Sequence, residues 1–550
     1  MTDLVILNGR VMTFAGPDAE ALAITGGVIT AVGSNAEIRD LAGSARVIDA
    51  QGNTVLPGFI DSHVHLFQGA AELEYLNLHG VTGFDAIAAK VRLYSASRQD
   101  DVLLFANCFE YHAFGDAPTT RQDLDAVVSD RPFFVMASDG HTGWANTKAL
   151  ELAGLLHGMA VDEGSEIVMA ADGTASGELR EAAAIGPVYA YTPLGGREAA
   201  GSVTGADPIP IPTAKERALD KDILAKGLKY CAAHGITGLH NMDGNFYQLE
   251  LLSEMEKEGT LLSRIEIPMH LKHTDPLDRL EEAAQMRAQY TSDMLWSSRI
   301  KMFIDGVIDN GTAFMLQPYP ETDSCSAPLF TVNHFKQACI RADAMGLQIS
   351  VHAIGDAGVR STLDGFEAAR IANGIRDSRH RIEHIEVINP ADIPRLAELG
   401  VVASLQPLHS PRAGFFTPYE PGAILHEFQI DQSCPWQTLR SAGAKVVFST
   451  DWPVVPLNVM QTIQGAVCGL DPDAPQMGAG QYQSLRASLA SYTCENAWVE
   501  FNEHRKGKLQ TGMMADIVVM DHDLEAMPPE ELGTASAAVT ICGGSITYEA

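Results

Sequence analysis

Basic residues are scarce in this 550-residue chain: 38 lysines and arginines face 70 aspartates and glutamates, a formal net charge of −32. So acidic a surface repels nucleic acid and anionic membranes, and neither is an expected partner. Long apolar runs are missing too. None approaches the ~20 residues that a membrane-spanning helix needs. The opening MTDLVILNGRVMTF has no basic lead and no extended apolar stretch, so no export signal is expected. Cysteine is sparse: there are eight, scattered, with no C-x-x-C pair. In a chain this long they read as buried reduced thiols of a cytoplasmic protein. With 46% hydrophobic and 20% charged residues the composition is that of a globular protein, which excludes disorder and collagen-like repeats.

What is present is an alternation of strand-like and helix-like stretches. Both ends carry β-branched runs broken by Gly-Gly and Asn-Gly turn signals. At the start these are DLVILNGRVMTF, EALAITGGVITAVG and ARVIDAQGNTVLPG, and at the end KGKLQTGMMADIVVMD and AAVTICGGSITYEA. Residues 1–54 and 505–550 are expected to form one small composite β-sandwich. Between them lie eight candidate buried strands, at 54–66, 235–242, 264–271, 299–306, 347–355, 381–388, 401–407 and 445–453. Helical stretches such as VNHFKQACIRADAMG and NPADIPRLAELG separate them, the latter stopping at Gly400. Eight such units predict an α/β fold, a (β/α)8 TIM barrel over 55–504. One connection is far too long for a βα loop: residues 68–212 read as an inserted subdomain over the barrel mouth, partly flexible near 194–212. Thr213 with Glu216 predicts a capping box where the chain re-enters the barrel.

The chemistry-bearing residues sit at the ends of these strands. His63 and His65 in FIDSHVHL are two apart, so a strand places both imidazoles on one face. At the C-terminal end of a barrel strand that face is the active-site mouth. Taken alone, H-x-H is equally two surface histidines after a strand. His352 in ISVHAIGD, His384 in RIEHIEVI and Asp451 in VVFSTDWP also lie at strand ends, and four imidazoles with one carboxylate suit zinc and similar divalent metals. Lys301 falls inside an apolar strand, on one face with Phe303 and Asp305. A buried lysine is costly unless it is paired or chemically changed. It either pairs with Asp305, faces a covering helix, or loses its proton and reacts with carbon dioxide to give a carbamate that bridges two metals.

Taken in order, the segments LVILNGRVMTF, PGFIDSHVHL, DGHTGWANTKAL, SGELREAA, GITGLHNMDG, KMFIDGVIDNGTA, VHAIGD, RIEHIEVI, SLQPLH, FSTDWPV and GKLQTGMMADIVVMD resemble the amidohydrolase superfamily of metal-dependent hydrolases. The nearest branch is that of N-substituted formamide deformylase-like proteins (amidohydrolase family 3). The resemblance implies a (β/α)8 barrel with a terminal β-sandwich. It implies one or two divalent metals, zinc foremost: His63 and His65 with Asp451 on the more buried one, His352 and His384 on the second, and a carboxylated Lys301 between them. Glu181 would line or support the pocket. The chain reads STD beside Asp451 where the branch often has GSD. The implied reaction is hydrolysis of an amide-type C–N bond: a metal lowers the pKa of its water to ~7, the resulting hydroxide attacks a polarised carbonyl, and Asp451 carries the proton to the leaving amine.

His141 and His409 are candidates for holding the substrate or its oxyanion, or else structural histidines. Phe67, Phe109, Tyr111, Trp144, Phe303, Phe415 and Phe416 either line an apolar substrate pocket or belong to the core. Trp144 and Phe67 are expected at the substrate, and the insertion is expected to cap the metal site, because βα connections emerge at that face. The expected partners are a small-molecule substrate and a second copy of the chain in a homodimer. Two other readings fit the same residues: hydrolysis of a cyclic amide, carbamate or ester, and a metal-binding barrel without turnover. A storage site would need no proton shuttle, so Asp451 beside both histidine pairs speaks against the last.

Overall fold

Eight apolar runs become parallel strand segments in the computed structural model, which describes residues 2–137, 140–162, 164–413, 415, 424–470 and 480–550. In chain order they are β1 (Phe59–Val64), β2 (Ile236–Asn241), β3 (Arg264–Glu266, resuming at Met269–His270) and β4 (Arg299–Phe303). There follow β5 (Gln348–Ala353), β6 (Arg381–His384), β7 (Val402–Leu405) and β8 (Lys445–Phe448). Each pairs in parallel with its neighbour in the chain. At the end of β1 and just past β8, Val64 bridges Trp452 in parallel, and the Asp451 amide donates to the His63 carbonyl at 2.8 Å. The arrangement is TIM-barrel-like. β3 breaks at Pro268, which has no N–H to give the ladder.

Helices fill the connections. The longest, Ala214–Ala233, opens on the capping box expected from Thr213 and Glu216. The helix Ile393–Leu399 stops at Gly400 in the left-handed conformation, as NPADIPRLAELG predicts. The strand expected over 54–66 divides in two. Thr54–Pro57 pairs antiparallel with Ile517–Met520, and only Phe59–Val64 joins the parallel sheet. Gly58 is the crossing point: a Cβ there would lie 2.3 Å from Thr237 Cγ2, so no larger residue fits.

The terminal segments build two sheets. One is four-stranded, in the order Val28–Gly33, Ala21–Thr25, Leu4–Leu7, Arg46–Asp49. The other is five-stranded and mixes both ends: Arg10–Val11, Thr54–Pro57, Ile517–Met520, Ala537–Cys542, Ser545–Glu549. Ile6, Leu22, Ile24, Val55, Ile517 and Ile541 pack in one shared core. A bidentate Arg264–Asp516 pair, 2.7 and 2.9 Å, ties these sheets to β3.

Within 68–212 a six-stranded sheet runs Glu166–Met169, Ala175–Arg180, Thr142–Ala145, Phe133–Ala137, Leu104–Phe109, Leu76–Asn77. The stretch 194–212, expected to be partly flexible, is packed at its start. Arg197 and Glu198 are buried there, Arg197 in a bidentate pair with Asp220 at 2.7 and 2.8 Å. Further on, Ile209 and Ile211 are almost fully exposed. The cysteines also depart from expectation: Cys231, Cys339, Cys434 and Cys542 are buried, whereas Cys108, Cys325, Cys468 and Cys494 are only half-buried. Among the described residues no helix is long and apolar enough to cross a membrane.

Candidate metal centre

The end of β1 delivers His63 and His65, and period-two alternation turns both toward Asp451. His63 Nε2 lies 3.3 Å and His65 Nε2 3.4 Å from Asp451 Oδ1. From the end of β6, His384 Nδ1 lies 3.8 Å from Asp451 Oδ2, and His409 Nε2, beyond β7, lies 3.6 Å from the same oxygen. Ligand atoms of His63, His384 and Asp451 all fall within 4.8 Å of one another. The His352 ring, on β5, stands 4.6 Å from that of His384. His384 and Asp451 both hold positive φ, 78° and 68°, a backbone cost typical of residues fixed for function.

Three of these imidazoles, His63, His65 and His384, are gripped from behind. His63 Nδ1 donates to Glu383 Oε2 at 2.8 Å and His65 Nδ1 to Asp243 Oδ1 at 3.2 Å. His384 Nδ1 donates to Gln406 Oε1 at 2.9 Å, and the Gln406 amide is oriented by donating to Ser449 Oγ at 2.9 Å. This is how metal-ligating histidines are held: an acceptor on one ring nitrogen aims the other. Glu383, Asp243, Gln406 and Asp61 were not singled out from the sequence. Asp61 accepts from the Thr450 hydroxyl at 2.6 Å and from the His63 amide at 3.2 Å, so it joins β1 to the loop after β8. Thr450 is the central residue of the STD segment. The readable signal was parity: Glu383 shares a face of β6 with buried Arg381, and Asp61 shares one of β1 with His63.

Electrostatics sharpen the site. Burial presses the His63 imidazolium down to about 3, so the ring is neutral and its lone pair available. Burial likewise keeps His352 and His384 well below the usual range. Burial pushes the Asp451 carboxyl up, but the imidazoles around it outweigh this and hold it below the usual carboxylate range, so it stays ionised. His65 is the charged partner: burial works against its imidazolium, but Asp243 and Asp451 raise it to about 9. Lys301 is fully buried, and burial brings its ammonium down to about 8. Its Nζ lies 4.7 Å from the centre of the Phe303 ring. The alternative Lys301–Asp305 pair does not form. Asp305 instead accepts from the amides of Phe314, Ile354 and Gly355 at 2.9–3.1 Å.

Among the buried polar atoms without a hydrogen-bond partner are Lys301 Nζ, His352 Nδ1 and Asp451 Oδ1. Each such atom costs about 1–3 kcal/mol, and all three residues line one cavity of about 730 Å³ with His63, His65 and His384. A nitrogen- and oxygen-rich donor set with unspent capacity, aimed into one space, fits a divalent metal.

The remaining expectations divide. His141 and His409 line the cavity. His141 Nδ1 donates to Glu181 Oε2 at 2.8 Å, and Glu181 Oε1 accepts from Thr312 Oγ1 at 3.0 Å, so Glu181 supports the pocket as expected. Phe303 lines the cavity too. Phe67 and Trp144 do not, and this corrects their expected place at the substrate. Phe67 is fully buried in the main core, since its helix turns it away from His65. Trp144 lies in the core of the inserted sheet, 5.3 Å from Phe109 and 5.2 Å from Tyr111. Phe415 stacks on His79 at 5.2 Å, and Phe416 lies outside the described residues.

Parallel strands whose ends gather buried imidazoles, a lysine and a carboxylate around one cavity define the class of metal-dependent hydrolases. The amidohydrolase family model matches residues 46–548, and the chain belongs to that family. The chain is 26% identical to the putative amidohydrolase YtcJ of Bacillus subtilis, covering 97% of each. It is 24% identical to the N-substituted formamide deformylase of Arthrobacter pascens, covering 100% of this chain and 99% of that one. Among solved structures, a metal-dependent hydrolase from Pyrococcus furiosus is similar with a TM-score of 0.69 at 25% identity, over 94% of this chain and 98% of that one. Atrazine chlorohydrolase TrzN from Arthrobacter aurescens, solved with zinc, shares the fold with a TM-score of 0.55 at 15% identity, over 99% and 95%.

Proposed function

We propose that the chain hydrolyses the C–N bond of a small carboxamide of the N-substituted formamide type. Family membership and the end-to-end match to a formamide deformylase support the bond class. The observation that carries the reading is the convergence of unsatisfied Lys301 Nζ, His352 Nδ1 and Asp451 Oδ1 on the cavity that the backed imidazoles face. His63, His65 and Asp451 would hold one divalent metal, zinc foremost, and His352 and His384 a second. Such a metal polarises a carbonyl and makes bound water acidic, with a pKa of about 7.

The chain's own groups then do the rest. Asp451, ionised and unsatisfied at Oδ1, takes a proton from the attacking water and passes it to the leaving nitrogen. His141, aimed by Glu181, and His409 hold the substrate carbonyl. Lys301, without a carboxylate in ion-pair reach among the described residues, is set up to add carbon dioxide: Nζ bonds to carbon, one proton leaves, and a carbamate results. Ile185, Tyr189, Leu271 and Phe330 wall the outer cavity, which suits an apolar substituent on the amide nitrogen. Elemental analysis together with a screen of formamides, other amides, lactams and esters tests this. Stoichiometric divalent metal and preferential formamide turnover are expected. Active protein without metal, or turnover of esters alone, would overturn it.

A further inference from the structure

Barrel interiors of this type are normally filled by Val, Ile and Leu. Here a string of charges runs through the space instead. We infer that Arg381, His240, Glu500 and Lys506 are positioning residues for His63, so that metal affinity at the strand ends is set in part by the C-terminal segment beneath the strands. This rests on reading His63 as a metal ligand.

The string starts at His63, whose Nδ1 donates to Glu383 Oε2 at 2.8 Å. Glu383 is held by Arg381, with Nε at 2.9 Å from Oε1 and a terminal nitrogen donating to Oε2 at 3.0 Å. The same guanidinium reaches three other strands. It donates to the Ser62 carbonyl on β1 at 2.7 Å, to Ser404 Oγ on β7 at 2.8 Å and to His240 Nδ1 on β2 at 3.0 Å, while rooted on β6. His240 Nε2 then donates to Glu500 Oε2 at 2.8 Å, and Lys506 Nζ lies 2.7 Å from Glu500 Oε1. All six side chains are buried. Lys506 Nζ lies close under Gly238: a Cβ there would be 3.2 Å from Ile60 Cγ1 and 3.3 Å from Nζ. The segment itself is pinned under the starts of β5 and β6, where Gln348 donates to the Val499 carbonyl and Arg379 pairs with Glu503 at 2.9 Å.

Donor and acceptor roles leave no freedom along this string. Arginine only donates, so His240 Nδ1 accepts and its proton sits on Nε2, facing Glu500. A carboxylate only accepts, so the His63 proton sits on Nδ1, and Nε2 presents its lone pair toward Asp451. The two cations, Arg381 and Lys506, balance the two anions, Glu383 and Glu500. Removing one charge leaves another buried without its partner, which is far costlier than losing a surface pair. Glu383 would then grip His63 in a different position or not at all.

The test is zinc titration of chelator-stripped protein against a chromophoric competitor, with apo-state thermal unfolding followed alongside. Arg381→Met and the isosteric Glu500→Gln are expected to weaken zinc binding about 10- to 100-fold. Lys506→Arg, which keeps the charge, should restore most of what Lys506→Met loses. Glu503→Gln, in the same segment but outside the string, should bind as wild type. If wild-type protein takes up no stoichiometric zinc, the ligand reading itself fails. If it does and Glu500→Gln binds within twofold of it, the string does not reach the metal. An equal loss in Glu503→Gln would assign the effect to general packing. Should Arg381→Met not fold, Glu500→Gln decides alone.

Discussion

On the proposed reading Asp451 is both ligand and proton carrier, and four imidazoles, His63, His65, His384 and His409, lie within 3.8 Å of its carboxylate. Replacing it with asparagine keeps its size and one oxygen but removes the base. A loss of about 10²- to 10⁴-fold in kcat is expected, with the fold retained by circular dichroism. Near-normal turnover would move the proton role to another group, His409 being 3.6 Å away. Lys301 gives a test with a pH sign. Carbon dioxide adds only to the unprotonated amine, and burial sets the ammonium at about 8. At a fixed concentration of dissolved carbon dioxide, protein stripped of it should therefore regain activity increasingly fast as pH rises toward about 8, and the rate should level off above it. Lys301→Ala should lose metal and activity, and small added carboxylates should restore part of both. Recovery independent of dissolved carbon dioxide would exclude the carbamate.

Among the elements, the strand ends were readable because each bears an exceptional residue at the close of an apolar run. His63, His352, His384 and Asp451 stand out from Val, Ile and Phe on either side. The carboxylates behind them were not readable, for a physical reason. Glu383 is the chain neighbour of His384 yet serves His63, 320 residues away. Its purpose exists only once β1 and β6 share an interior. Trp144 shows the converse error. DGHTGW reads as one unit, but the strand Thr142–Ala145 begins one residue after His141, so His141 meets the cavity and Trp144 the sheet core. Trp144→Ala is now expected to destabilise by about 3–5 kcal/mol, as for other buried aromatics. Losses of kcat/KM should then be equal for large and small substrates. Selective loss for bulky amides, at unchanged melting temperature, would return Trp144 to the substrate. The division of 54–66 escaped the sequence because Pro57-Gly58 marks a crossing between two sheets only when Thr237 is known to press on it.

For the molecule as a whole, the pairing of Thr54–Pro57 with Ile517–Met520 imposes an order in time. Roughly 460 residues separate Pro57 from Ile517. At about 5–20 residues per second a ribosome needs on the order of 25–90 s to make them. Throughout that interval Val55 and Leu56 wait without the partner strand that buries them. The first sheet made is among the last finished, and the emerging chain carries an unpaired strand edge of the kind that invites association. Ribosome-arrested chains ending before residue 517 should be cut by protease near residues 50–60, and chains extended past residue 549 should resist. Equal resistance in both would mean that the N-terminal strands find a substitute partner during synthesis.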